Sequence, residues 1–111
     1  MIAVTDVERR LVPDAFVYLL RCGDGSLYCG WTTDLQRRLA AHRGGRGSRY
    51  TASRLPVELV LAQPMSDRAA ARREEARIKR LTRREKLELV ARSQLYKPAS
   101  TLAMNAHLAA V

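Results

Sequence analysis

No apolar run in the 111 residues approaches the ~20 that a membrane-spanning helix requires, so none is expected. The chain begins MIAVTDVERRLVPDAF, with Asp6 and Glu8 early and no apolar stretch leading to a small-residue cleavage site. Export is therefore not expected, and the cytoplasm is the default location. Metal-ligating residues are scarce too. Cys22 and Cys29 flank one short turn, and His42 and His107 stand far from them and from each other, so neither a zinc-finger nor a CxxC spacing exists. Structural zinc is not supported, and two reduced thiols are expected rather than a disulfide. Acidic residues are outnumbered, with 11 Asp and Glu against 20 Lys and Arg, a formal net charge of +9 and a pI near 10.6. A domain so basic is expected to meet a polyanion, although charge alone names no reaction.

The length suits one compact domain with one core, and a hydrophobic fraction of 47% is ordinary for a globular chain. Residues 16–22 and 26–31 read as two strands around Gly23-Asp24-Gly25, a three-residue loop with glycines for positive-φ positions. If Cys22 lies opposite Ser26, then Leu20 faces Tyr28 and Tyr18 faces Gly30, which puts both tyrosines on one face of the hairpin. A loop one residue shorter or longer would send them to opposite faces.

After Gly30 a helix is expected, capped by Thr33 with Gln36 three positions on, carrying Leu35 and Leu39 inward and ending near His42. Arg38 and His42 are i, i+4 partners displaced by one residue from the leucines, and should project together beside the core. Residues 43–56, RGGRGSRYTASRLP, read as a flexible basic loop suited to phosphate, and VELVLA, residues 57–62, as a third strand. A helix from Asp67 to about Leu81 follows. Thr82-Arg83-Arg84-Glu85 then forms a capping box opening a last helix toward Ala91. Residues 94–111 are broken at Pro98 and read as a tail in which His107 is incidental. On the helix from Asp67, Ala71, Ile78 and Leu81 mark the buried stripe, with Glu74 about 40° to one side of Ile78 and Glu75 about 60° to the other. Periodicity does not choose between these two glutamates, and Glu75 with Lys79 also makes an ordinary i, i+4 ion pair.

Taken together, FVYLL, LYCGWTTDLQRRLAAH, RYT and EEARIK resemble the GIY-YIG nuclease family. The likeness is to its small stand-alone bacterial members and to the nuclease subunit of the eukaryotic structure-selective endonuclease complex. Tyr18 matches the first motif tyrosine, Tyr28 and Gly30 the second motif, Arg38 and His42 the helix residues, and Glu75 the metal ligand. Phe16-Val17-Tyr18 lacks the glycine of the first motif, and Cys29 stands where the second has isoleucine. The resemblance implies an α/β fold, a three-stranded antiparallel sheet flanked by helices, in a domain over residues 15–93. A 1–14 extension would precede that domain, and the 94–111 tail would follow it. It further implies a metal-dependent endonuclease acting on DNA, with branched or damaged DNA in repair or recombination as candidate substrates and RNA left open. The alternative is a noncatalytic nucleic-acid-binding module of the same fold.

The roles implied are a divalent cation on Glu75, Mg2+ or Mn2+, and transition-state charge stabilisation by Arg38. Tyr18 would serve as general base, Tyr28 as a positioning residue, and His42 as helper. Arg43, Arg46, Arg49, Tyr50, Thr51 and Lys79 are the implied nucleic-acid contacts, and a protein partner for targeting fits a domain without a separate recognition module. An anionic tyrosine at pH 7 requires a fall of about three units from the free value of ~10, or about 4 kcal/mol.

Overall fold

A computed structural model describes residues 13–93, so the expected tail over 94–111, His107 and all but the last two positions of the expected 1–14 extension lie outside the described residues. The elements run β1 (Ala15–Arg21), β2 (Leu27–Thr32), α1 (Leu35–Arg43), α2 (Arg49–Ala52), β3 (Glu58–Met65), α3 (Arg68–Lys79) and α4 (Arg83–Arg92). The sheet is antiparallel in the order β2-β1-β3, which leaves β2 at an edge. No described helix is long and apolar enough to cross a membrane.

The β1–β2 register is the one the three-residue loop predicts: Tyr18 opposite Gly30 and Leu20 opposite Tyr28. The loop closes through Cys22 N–H to Ser26 O at 2.8 Å and Gly25 N–H to Cys22 O at 2.9 Å, with Gly25 at φ +83°. A side chain at that φ would be strained, so glycine suits the turn. Asp24 Oδ1 accepts from the Ser26 amide and hydroxyl, which further pins the turn.

Alternation along β1 gives the sheet two cores. Val17 and Leu19 face α3 and α4 in a cluster with Cys29, Leu61, Ala71, Ile78 and Val90. Tyr18, Leu20 and Cys22 face α1 in a cluster with Leu35, Leu39, Val57 and Ala62. Both cysteines are buried free thiols, as expected.

Three local expectations differ from what is found. Asp34, not Thr33, caps α1: its Oδ1 accepts from Arg37 N–H at 3.1 Å, while Thr32 Oγ1 closes the preceding turn onto Asp34 N–H at 3.0 Å. A carboxylate is a strong cap, and it places the first helical residue two positions after Thr33. The basic loop contains the short helix α2, nucleated by Ser48, whose hydroxyl accepts from Thr51 N–H at 3.1 Å. Finally, β3 runs on through Gln63 and Pro64 to Met65 instead of ending at Ala62. Edge position makes this possible, because the missing amide of Pro64 is not required by a further strand. Asp67 caps α3, and the Thr82–Glu85 capping box is present in both directions.

Candidate active site

Gly30 decides where Tyr18 points. A Cβ at Gly30 would collide with the Tyr18 ring edge and hydroxyl, so only glycine lets this ring lie across edge strand β2. The ring is 2% exposed. Its hydroxyl lies 2.8 Å from His42 Nε2 and receives Arg38 Nε–H at 3.4 Å. Arg38 also donates from Nη2 to the Gly47 carbonyl at 2.9 Å, which ties α1 to the loop before α2.

His42 is fully buried, in contrast to its expected place beside the core. The reason is the loop that folds over it: Gly47 lies so close that a Cβ there would strike the imidazole, and Thr51 on α2 meets Nδ1 at 2.9 Å. Thr51 Oγ1 in turn lies 2.9 Å from Ser48 Oγ and 3.4 Å from the Ser48 carbonyl. One direction gives every hydrogen an acceptor. Arg38 donates to Tyr18, Tyr18 donates to Nε2, Nδ1–H donates to Thr51, and Thr51 donates to Ser48. Among the described residues no buried side-chain nitrogen or oxygen lacks a partner.

Thr51 is therefore corrected from a nucleic-acid contact to a fully buried support for His42, because its hydroxyl is engaged within the protein. The sequence offered a signal for the short helix, Ser48 as an N-cap residue type, but none for the burial of Thr51, which depends on contacts with α1.

The electrostatics follow from burial. Desolvation pushes the Tyr18 hydroxyl up to about 12, and the Arg38 hydrogen bond and charge only partly offset it, so the phenolate is harder to form than in water. Burial, reinforced by the Arg38 charge, brings His42 down to about 4, so the imidazole is neutral at pH 7. The Tyr18 hydroxyl beside it raises Arg38 further, against the effect of its own partial burial.

The second tyrosine is held by stacking. Tyr28 sits with its ring centroid 6.5 Å from Tyr18 and 5.2 Å from His42, and stacks on Tyr50 at 5.9 Å. Arg54 covers Tyr50 at 3.8 Å from the ring centroid, and its guanidinium reaches Asp24 in the hairpin turn at 3.1 Å. Tyr50 was an expected nucleic-acid contact; it is 38% exposed, but Tyr28 and Arg54 both pack against its ring.

Of the two glutamates on α3, Glu74 accepts from Gln63 Nε2 on β3 at 3.1 Å and pairs with Arg77, so it fastens helix to sheet. Glu75 pairs with Lys79 at 3.3 Å and is partly buried. Glu75 stands outside the hydrogen-bonded cluster, yet its charge contributes to raising both Tyr18 and Cys29, whereas Glu74 acts on Cys29. No group of three or more His, Cys, Asp or Glu that could hold a metal exists among the described residues. One carboxylate with retained waters and a substrate phosphate is nonetheless a usual setting for Mg2+, so Glu75 fits a cation that is completed by substrate. Arg43, Arg46 and Arg49 are exposed on the rim between α1 and α2, as the loop composition predicts.

Comparison with known proteins gives the family. A UPF0213 protein of Streptococcus pneumoniae serotype 4 is 46% identical over 80 residues, 72% of this chain and 81% of that one. A UPF0213 protein of Nitratidesulfovibrio vulgaris is 51% identical over 76 residues, 68% of this chain and 69% of that one. The solution NMR structure of the protein EF2693 from E. faecalis superimposes with a TM-score of 0.51 at 35% identity, covering 75% of this chain and 88% of that one. Residues 14–88 match the GIY-YIG catalytic domain, and with these relatives alongside, the chain belongs to the GIY-YIG nuclease family as a small protein of the UPF0213 kind.

Proposed function

We propose that the protein is a metal-dependent endonuclease that hydrolyses phosphodiester bonds in DNA. The observation that carries this reading is the Arg38–Tyr18–His42 chain at the sheet edge, with distances of 3.4 and 2.8 Å, in which a partly buried arginine meets a buried tyrosine and a buried histidine beside Tyr28. A packed core has no need of an arginine directed at a buried phenol, whereas a site that must stabilise a phosphorane does.

Because Tyr18 holds its proton tightly, it acts as a neutral relay and not as a preformed phenolate. As an attacking water gives its proton to Tyr18 Oη, Tyr18 gives its own to His42 Nε2, and Nδ1–H stays on Thr51. His42 alone is a weak base, so this transfer draws on the negative phosphate bound next to it, which favours the imidazolium. Arg38 neutralises the charge that builds on the nonbridging oxygens. Tyr28, braced by Tyr50, orients the scissile group. A divalent cation bound at Glu75, Mg2+ or Mn2+, would supply Lewis-acid polarisation of the phosphoryl oxygen and stabilisation of the leaving oxygen.

Branched or damaged DNA fits as substrate, and a protein partner would supply targeting to so small a domain. The second reading, a noncatalytic nucleic-acid-binding module, is disfavoured by retention of Tyr18, Tyr28, Arg38, His42 and Glu75 together. The deciding experiment incubates purified protein with flap, fork, junction, duplex and single-stranded DNA and with RNA, each with Mg2+, with Mn2+ and with EDTA. Metal-dependent cleavage of a DNA substrate is expected. Binding without cleavage under every condition would establish the second reading.

A further inference from the structure

An open groove of about 240 Å³ lies between the end of β2 and the start of α3, lined by Trp31, Thr32, Thr33, Arg38 and Arg68. Its lining combines two chemistries. Arg38 and Arg68 supply two cations, and neither has an acidic partner within ion-pair distance among the described residues, nor does Arg72. No carboxylate lines the groove. Trp31 supplies the aromatic part of the lining: it packs against the core cluster and carries the Arg72 guanidinium over its ring, 5.4 Å from the centroid. Thr32 and Thr33 add hydroxyls. A free anion would engage the arginines without the indole, and an apolar ligand would engage the indole without the arginines. A nucleotide has both halves: phosphate for the cations and a flat base for the indole.

We propose that this groove seats one unpaired nucleotide of a nucleic-acid strand, its phosphate between Arg38 and Arg68 and its base against Trp31. The base must be unpaired, because a base inside a duplex has both faces covered by its neighbours and presents none to an indole. The inference rests on the nuclease reading in one respect: Arg38 belongs to both sites, so the seated nucleotide adjoins the phosphate that is cleaved. The protein thereby selects strands with an unpaired nucleotide next to the cut, a requirement met by flaps, forks and gaps and not by intact duplex.

Trp31 is the only tryptophan, so its emission reports on the groove directly. The full chain is titrated in EDTA with a labelled single-stranded oligonucleotide, the matching duplex, inorganic phosphate and polyglutamate, following both label anisotropy and Trp31 fluorescence. Single-stranded DNA should quench Trp31, and duplex should bind with much less quenching. Arg68→Ala should weaken the quenching affinity about tenfold, as loss of one charged hydrogen-bonding group does. Arg84→Ala removes the same charge at an exposed ion pair with Glu88 and should cost less than threefold.

Oligonucleotide binding without a change in Trp31, equal quenching by duplex, or equal losses in the two variants would overturn the proposal. Stronger quenching by polyglutamate would also overturn it and assign the groove to an acidic protein. The two readings fail separately. Quenching without cleavage of any substrate leaves the groove and removes the nuclease, whereas cleavage without quenching removes the groove alone.

Discussion

The Tyr18 hydroxyl lies 2.8 Å from His42 Nε2, and both side chains are buried. Nε2 therefore depends on the Tyr18 hydroxyl for its partner. Tyr18→Phe leaves Nε2 buried without a partner, which should cost about 1–3 kcal/mol in urea unfolding and abolish the proton relay. Cleavage that persists at the wild-type rate would show that Tyr18 is structural only.

Thr51 provides a second test of the same chain. Thr51→Val keeps the shape but removes the oxygen opposite Nδ1, so His42 loses its fixed tautomer. Cleavage should fall by about ten- to a hundredfold, as for other partners that orient a catalytic imidazole. Thr51→Ser restores the hydroxyl and should recover most of the rate, and failure to do so would assign the Val effect to packing.

Gly30→Ala tests the close approach. The added methyl meets the Tyr18 ring edge and hydroxyl, so a loss of about 1–3 kcal/mol and a larger loss of cleavage are expected. Pairing it with Tyr18→Phe should be less damaging to stability than the sum of the two, because the hydroxyl is part of the clash.

The pH dependence follows from His42. Its folded pKa of about 4 lies below the free value of 6.5, so below pH 6.5 the unfolded chain takes up a proton that the folded chain refuses. Stability is then full above pH 6.5 and falls through the window down to pH 4, by about 2–3 kcal/mol from this residue. Urea unfolding of wild type against His42→Gln from pH 4 to 7 should show the steeper fall in wild type. The raised Tyr18 has its counterpart at high pH, where stability is lost between pH 10 and about 12.

Glu75→Gln should reduce cleavage by about two to three orders of magnitude while folding and DNA binding persist, since it removes the charge proposed to hold the cation. Glu74→Gln should keep cleavage, because Glu74 serves Gln63 and Arg77. Equal activity in the two variants would reduce Glu75 to the partner of Lys79.

The hairpin, its register and the shared face of Tyr18 and Tyr28 were legible in the chain, because a three-residue loop and a period of two leave one solution. The Thr82 capping box was legible for the same reason, being a contact between near neighbours. Glu74 and Glu75 could not be separated locally: both border the apolar stripe of α3, and only the third dimension brings Gln63 against Glu74 and leaves Glu75 paired with Lys79. His42 and Thr51 are the clearest case of tertiary decision. Helical spacing put His42 beside the core, and the family resemblance made Thr51 a nucleic-acid contact. Burial of both arises because Gly47 lets the α2 loop close over the imidazole, and a buried imidazole must find partners for both nitrogens. Tyr18 and Thr51 supply them from elements that are distant in sequence.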